Sequence, residues 1–484
     1  MKLDTNRILD ITSGCLAIAP RDSSADLTGL TWDSRTAWQG CLYAALPGER
    51  VDGNDFVAAA IEAGAMLALA SREPDASAAQ VAQARGAGVI VVEDVEKAIT
   101  ELAAAWRSML GATVIGITGS VGKTTVKSLT RQVLSSRFKT CATKGNFNNE
   151  LGAPYTVLSA DADCEMLVVE MGMDDLGQIE HICSFARPDM GLVNNVGVSH
   201  LERLGSRENI ARAKAELFEA LGAGAFAFLN ADDDMTPFLR EHARLEERGV
   251  VEAAFSMAGE PAGASKAVWA EDVSVDDEGR PRFALCARGF DVLAGETQRV
   301  ECELGLRGVH NISNACGAAA IGLACGIDLS DVAQALSEAV PEAGRQEVKH
   351  AACGAVVFDD AYNASPASMT ASLRMLASYK SSGRKIAVLG DMGELGEASV
   401  EGHRESGRAA AQAGLALLVC VGEAAGDIAR GACEAGMPEE CIVRVADADV
   451  AVAVLKERID SSDVVLVKAS HFMRLDRVVE GIIA

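Results

Sequence analysis

The sequence predicts an α/β protein built as three successive units, the middle one a mostly parallel sheet that carries a phosphate-binding loop and an antiparallel patch. Three observations lead there. The chain has 484 residues, two to four times a usual domain. Short apolar runs recur, separated by segments long enough for crossover helices. Aliphatic residues dominate while aromatics make up only 4%, a mixture suited to layered α/β cores.

Residues 1 to 95 combine the strand-like runs CLYAAL, MLALA and GVIVVED with Ala-rich helical stretches such as VAAAIEAGA. The helix-like AITELAAAWRSM then leads into a new strand and sets a boundary near residue 96. From residue 112, ATVIGITGSVGKTTVKSLTRQVL reads as strand, Gly-containing turn and helix. MLVVEMG (166–172), MGLVNNVG (190–197) and AFAFLN (225–230) follow as buried strands. Between about 266 and 306 the period changes to two, in RFALCA and RVECELGL, with DDEGRP as a turn. That is the antiparallel patch, and the helix NISNACGAAAIGLACG comes after it. Beyond Pro341 and Gly344 a third α/β series begins, AVVFDD, KIAVLGDM, LALLVCVGE and VVLVKAS. The expected units are therefore 1–95, 96–340 and 341–484.

A net charge of −25, from 69 acidic against 44 basic residues, argues against a nucleic-acid partner. The 13 cysteines contain no C-x-x-C, so neither a zinc knuckle nor a thioredoxin-type pair is expected. No run approaches a membrane-spanning length, and MKLDTNRILDITSG has acidic residues where a signal peptide is apolar. The expectation is a soluble, cytoplasmic protein with no membrane span.

TGSVGKTT (Thr118–Thr125) carries the strongest chemical signal. A strand delivers Gly-rich backbone to a helix N-terminus, where unpaired N–H groups attract phosphate oxygens. The candidate loop comprises Gly119, Ser120, Val121, Gly122, Lys123, Thr124 and Thr125; Lys123 suits the β/γ-phosphates and the Thr124 hydroxyl suits Mg²⁺. The first glycine of G-x-x-x-x-G-K-[ST] would fall at position 117, which is Ile. With no Asn-Lys-x-Asp element for guanine, the nucleotide expected is ATP. Glu170 ends an apolar strand at the carboxyl edge of the sheet, where ligands of open α/β sheets bind, and suits Mg²⁺. His200 follows another strand; a single histidine is more often an ordinary polar residue. Lys214 alone reads as a solvated helix lysine.

These motifs, with KGNFNNELGAP (144–154), VVEMGMDDLGQIEHI (168–182), NVGVSHLERLGSRENIARAKAELF (195–218), GVHNISNACGAAAIG (308–322), DDAYNASPASM (359–369) and VLGDMGELG (388–396), resemble the Mur ligases. The likeness is greatest to the MurF type of that family, and TWDSRTAWQGCLYAALPGERVDGNDF (31–56) resembles its uridine-nucleotide domain. The resemblance implies a UDP-sugar-binding first domain, a central ATPase domain and a C-terminal Rossmann-like domain. It also implies an ATP-dependent ligase of peptidoglycan and cell-wall synthesis that joins D-Ala-D-Ala to UDP-MurNAc-tripeptide through an acyl phosphate, working as a monomer. A sibling MurE-like ligase or a folylpolyglutamate synthetase-like ligase is the alternative.

The same resemblance assigns roles residue by residue. Lys123, Glu170, His200 and Lys214 are implied as catalytic; Thr124, Glu170, His200 and a carbamylated Lys214 as ligands of two Mg²⁺. Asn314, Arg345, Asp360, Tyr362 and Asn363 would contact the nucleotide, Ser34 and Arg35 the uridine diphosphate, and Asn146, Asn148 and Asn149 the muramoyl-peptide. In VKASHFM (467–473), Ala469 and His471 stand where the family pattern has Gly and Arg.

Overall fold

The computed structural model describes residues 1–48 and 51–484, so Glu49 and Arg50 of the 31–56 segment lie outside the described residues. The chain forms three sheets in succession. The first has five strands, ordered Cys15–Ile18, Gly88–Val91, Leu67–Ala70, Leu42–Ala44 and Leu30–Thr31, parallel except for the Cys15–Ile18 edge.

The second sheet has nine strands. Its parallel part runs Thr140–Ala142, Met166–Glu170, Thr113–Thr118, Met190–Val193, Phe226–Asn230 and Val251–Ser256. Ala267–Val275 joins this edge in parallel, and Pro281–Arg288 and Gln298–Glu303 continue it antiparallel. The antiparallel patch is thus an extension of the same sheet. Thr140–Ala142 and Val251–Ser256 were not expected from the sequence. The first is three half-buried residues, too short to show a period.

The third sheet orders Glu347–His350, Val356–Asp360, Val464–Lys468, Lys385–Gly390, Leu417–Val421 and Ile442–Val445. Only the Glu347–His350 edge is antiparallel. Its four central strands are the expected apolar runs, buried on both faces as helix-covered parallel strands must be.

Small residues let the layers approach closely. In the helix Asn311–Ala324, Gly317 faces Leu192 and Phe255, and Gly322 faces Val133 of the helix Lys123–Ser135 so closely that a Cβ would lie 2.5 Å from Val133 Cγ1. The alanine-rich, aromatic-poor composition is what such thin helix–helix and helix–sheet spacing requires. A single apolar cluster runs from Leu42, Leu67 and Ile90 of the first sheet through Leu102 and Trp106 to Val157 and Ile179 of the middle unit. Trp106 Nε1 donates to the Ala160 carbonyl at 3.1 Å within it.

This core packs on Thr113–Thr118, the third strand from the Thr140–Ala142 edge, between Met166–Glu170 and Met190–Val193. Ile117 is a fully buried strand residue opposite Glu170, which explains why no glycine is needed there: the turn begins two residues later. Gly119 (φ +154°) and Gly122 (φ +82°) take the backbone conformations that L side chains avoid. At Gly122 a Cβ would sit 2.6 Å from Asn194 Nδ2 and 2.7 Å from Asn314 Oδ1. Gly122→Ala should therefore leave a folded protein, by circular dichroism, whose affinity for ADP drops by at least tenfold in calorimetry. Unchanged affinity would mean that the loop is not held in the shape described.

Candidate active site

A cleft of about 1020 Å³ opens between the second and third sheets. The loop forms its floor. Asn194 and Asn195, at the end of the strand Met190–Val193, brace the loop from below. Both side-chain amides donate to the Val121 carbonyl at 2.9 Å, and Asn195 Oδ1 accepts the Val121 N–H at 2.8 Å. The first N–H groups of the helix Lys123–Ser135 consequently face the cleft with the positive end of the helix dipole behind them.

Glu170 is 1% exposed. Its Oε1 accepts from Thr124 Oγ1 at 3.1 Å and from Asn148 Nδ2 at 2.8 Å, while Oε2 is buried with no partner. A buried carboxylate oxygen without a donor is costly, and a cation beside Thr124 and Glu170 would satisfy it. Lys123 now donates to the Gly119 carbonyl at 2.7 Å. Burial holds its ammonium below the usual lysine value, Arg345 adds repulsion, and Glu170, Asp174 and Glu394 oppose the shift.

Lys214, on the helix Arg207–Glu219, is 1% exposed. The reading as a solvated lysine is corrected: the residue faces inward. Burial, and then repulsion from Lys123, push its pKa well below the ordinary lysine value. Both effects disfavour the charged form of Lys214; the neutral amine is the form of a lysine that adds CO₂ to become a carbamate. A charged helix lysine and an inward-facing one differ only in helix phase, and mean burial of lysine favours the first.

His200 takes a left-handed backbone (φ +64°) ahead of the helix Leu201–Leu204. Its Nδ1 lies 3.2 Å from Asp174 Oδ1 and 2.7 Å from Glu394 Oε2. Contact with His200 holds the Glu394 carboxyl below its usual pKa, against the effect of burial.

The third sheet's unit supplies the opposite wall. The Arg345 guanidinium stacks over the Tyr362 ring at 4.3 Å. Burial raises the Tyr362 phenol pKa and the charge of Glu170 adds to the rise, while Arg345 and Asn146 oppose it. Asp360 pairs with the buried Lys468 at 2.8 Å and accepts from Ser372 Oγ at 2.6 Å; Lys468 also donates to the Asn363 carbonyl at 3.0 Å. Asn363 Oδ1 accepts the Ala364 N–H. Glu342, in the segment joining the two units, accepts from Lys127 at 3.0 Å and from Ser128.

Of the residues singled out in the sequence, Ser120 to Thr125, Asn146, Asn148, Asn149, Glu170, His200, Asn314, Arg345, Asp360, Tyr362 and Asn363 line this one cleft. Asn149 also has a local task, since its Oδ1 accepts the Gly152 N–H at 2.8 Å as the helix Gly152–Ser159 begins. Both ends of the Asn314 amide are engaged, with Asn194 and Asn311. Ser34 and Arg35 do not line the cleft; they lie on a short 3₁₀ turn where exposed Arg35 pairs with Asp33. Their segment packs beside the loop that carries Asn146 and Asn148 through Trp32, which meets Phe147 and Tyr155 edge-on at 5.4 and 5.0 Å. Asn194, Asn195, Lys468, Asp174 and Glu394 were not singled out in the sequence. The NN pair at the end of a strand was the one readable signal. His471 lies edge-on to Tyr362 at 5.7 Å, and Ala469 is buried beside Gly390.

Residues 26–107 match the family described as Mur ligase family, catalytic domain, residues 117–322 the Mur ligase middle domain, and residues 344–471 the Mur ligase, glutamate ligase domain. A Mycobacterium tuberculosis protein named "UDP-N-acetylmuramoyl-tripeptide--D-alanyl-D-alanine ligase" is 38% identical over 100% of this chain and 98% of its own. The crystal structure of MurF from Acinetobacter baumannii superposes with a TM-score of 0.83 at 28% identity, covering 100% of this chain and 99% of that one. MurF from Thermotoga maritima in complex with ADP gives 0.73 at 28% identity, over 94% and 96%. The chain belongs to the Mur ligase family.

Proposed function

We propose that this chain is an ATP-dependent amide ligase that joins D-Ala-D-Ala to the terminal carboxylate of UDP-MurNAc-tripeptide through an acyl phosphate, in cytoplasmic peptidoglycan precursor synthesis. The observation that carries this reading is the meeting of Thr124 and Glu170 beneath a phosphate-binding helix N-terminus, in a cleft whose other wall brings Arg345 and Tyr362. Full-length identity to a ligase of that name supports the substrates. No helix among the described residues is long and apolar enough to cross a membrane.

A carboxylate is a poor acyl donor because oxide is a poor leaving group, and transfer of a phosphoryl group to it makes the leaving group phosphate. Two anions must first approach each other. The N–H groups of Ser120 to Thr124 and the Lys123 ammonium would hold the β- and γ-phosphates, with Lys123 turning from the Gly119 carbonyl. Arg345 would add a cation from the other wall. The D-Ala-D-Ala amine then attacks the acyl carbon, the C–N bond forms, and phosphate leaves.

We assign one Mg²⁺ to Thr124 and Glu170, whose orphaned oxygen it would satisfy, and, from the resemblance, a second to His200 with a carbamylated Lys214. Bound there, the metal would supply positive charge to offset repulsion between the phosphate and the attacking carboxylate. Carbamylation turns an ammonium that would repel a cation into an anionic oxygen ligand. We assign the UDP-sugar to residues 1–95 with Ser34 and Arg35, ATP to 96–340, and the closing unit to 341–484. Asn146, Asn148 and Asn149 would face the peptide, and Asn314, Asp360 and Asn363 the nucleotide side.

Phosphate release from Mg-ATP, measured over a panel of UDP-MurNAc-peptides and amine acceptors, should require both the tripeptide and D-Ala-D-Ala. Turnover with a single amino acid in place of the dipeptide would assign the chain to a sibling reaction. Lys214→Ala should lose at least 100-fold in turnover and regain part of it with added acetate or formate. Full activity in the variant without a carboxylate would remove Lys214 from the site.

A further inference from the structure

Glu394 belongs to the turn after the strand Lys385–Gly390, in a stretch to which the resemblance gives no role. Four anchors within its own unit fix this turn. The Met392 N–H donates to Nε2 of the fully buried His403 at 2.9 Å, and the Gly393 N–H to Ser470 Oγ at 3.0 Å. The Ser470 N–H donates to the Asp391 carbonyl at 3.1 Å, and Asp391 Oδ1 accepts the Ala425 N–H at 2.7 Å.

Leu395 is buried in the same unit's core. Between these fixed points Glu394 adopts a left-handed backbone (φ +63°), which a non-glycine residue keeps only where surroundings impose it. Its side chain leaves its own unit and places Oε2 2.7 Å from His200 Nδ1, on the middle unit. Asp174 Oδ1 reaches the same nitrogen at 3.2 Å, and Gly396 passes against Glu202, two residues beyond His200.

A histidine binds a metal through one ring nitrogen, and what holds the other decides which one is free. With carboxylates at Nδ1, Nε2 is the available donor. A carboxylate behind an imidazole also raises the basicity of the ligating nitrogen.

We propose that Glu394 is a positioning residue: docking of the C-terminal unit brings its carboxylate to His200 Nδ1, which sets the ring so that Nε2 serves the second metal. This rests on the assignment of His200 to that metal. It links metal affinity to domain closure, because the middle unit alone supplies only the longer Asp174 contact.

The test uses the full chain with a non-hydrolysable ATP analogue and Mn²⁺ as the probe, free Mn²⁺ being read by electron paramagnetic resonance. The wild type should bind two Mn²⁺. Glu394→Ala should weaken the weaker site by ~10- to 100-fold and leave the tighter site and ADP affinity unchanged. Glu394→Gln, which keeps an acceptor but no charge, should fall between. Thermal melting checks folding, and if the alanine variant does not fold the glutamine variant carries the same comparison.

Superimposable Mn²⁺ isotherms overturn the proposal even if turnover falls, since that is the signature of a merely structural role. Equal weakening of both sites overturns it as well. A wild type that binds a single Mn²⁺ overturns it together with the His200 assignment. Neither UDP-peptide nor D-Ala-D-Ala is present, so the result stands apart from the identity of the acceptor and donor.

Discussion

The structure is organised around one electrostatic requirement, the gathering of several anionic groups in one cleft of a chain whose net charge is −25. Bulk charge works against this, so positive potential has to be local. It comes from the N-terminus of the helix Lys123–Ser135, from Lys123 on the floor and from Arg345 on the facing wall. Each is held in place by something else. Asn194 and Asn195 brace the loop, the small-residue helix Asn311–Ala324 packs behind it, and Tyr362 stacks under Arg345. Lys127, almost fully buried, is matched by Glu342 in the connecting segment, which ties the phosphate-binding helix to the stretch that carries Arg345.

The cleft belongs to no single sheet. Glu170 and His200 stand on the second, Arg345, Tyr362 and Glu394 come with the third, and the first reaches the loop of Asn146 and Asn148 through Trp32 and Phe147. Contacts such as Glu394 with His200 exist only while the units are docked. That division fits a reaction with three substrates, since opening admits them and closing excludes water from a reactive intermediate.

Much of this was legible in the sequence because local pattern carries it. Apolar runs bounded by Gly marked the central strands, and the change to period two marked the antiparallel edge. TGSVGKTT located the loop although Ile117 breaks the usual spacing; the structure shows that residue still inside its strand. What stayed hidden depends on tertiary packing. Lys214 looked solvated, because nothing local says which face of its helix turns inward. Thr140–Ala142 was too short to show a period. Lys468, Asp174 and Glu394 gain their meaning from partners 26 to 194 residues away in sequence, such as Asp360 and His200.

The central claim is that the substrate carboxylate becomes the acyl donor by taking a phosphoryl group in this cleft. Its most direct measurement follows oxygen. With both oxygens of the tripeptide's terminal carboxylate labelled as ¹⁸O, one label should appear in the released phosphate, seen as an isotope shift in ³¹P spectra. Phosphate carrying no ¹⁸O while the amide still forms would contradict the account.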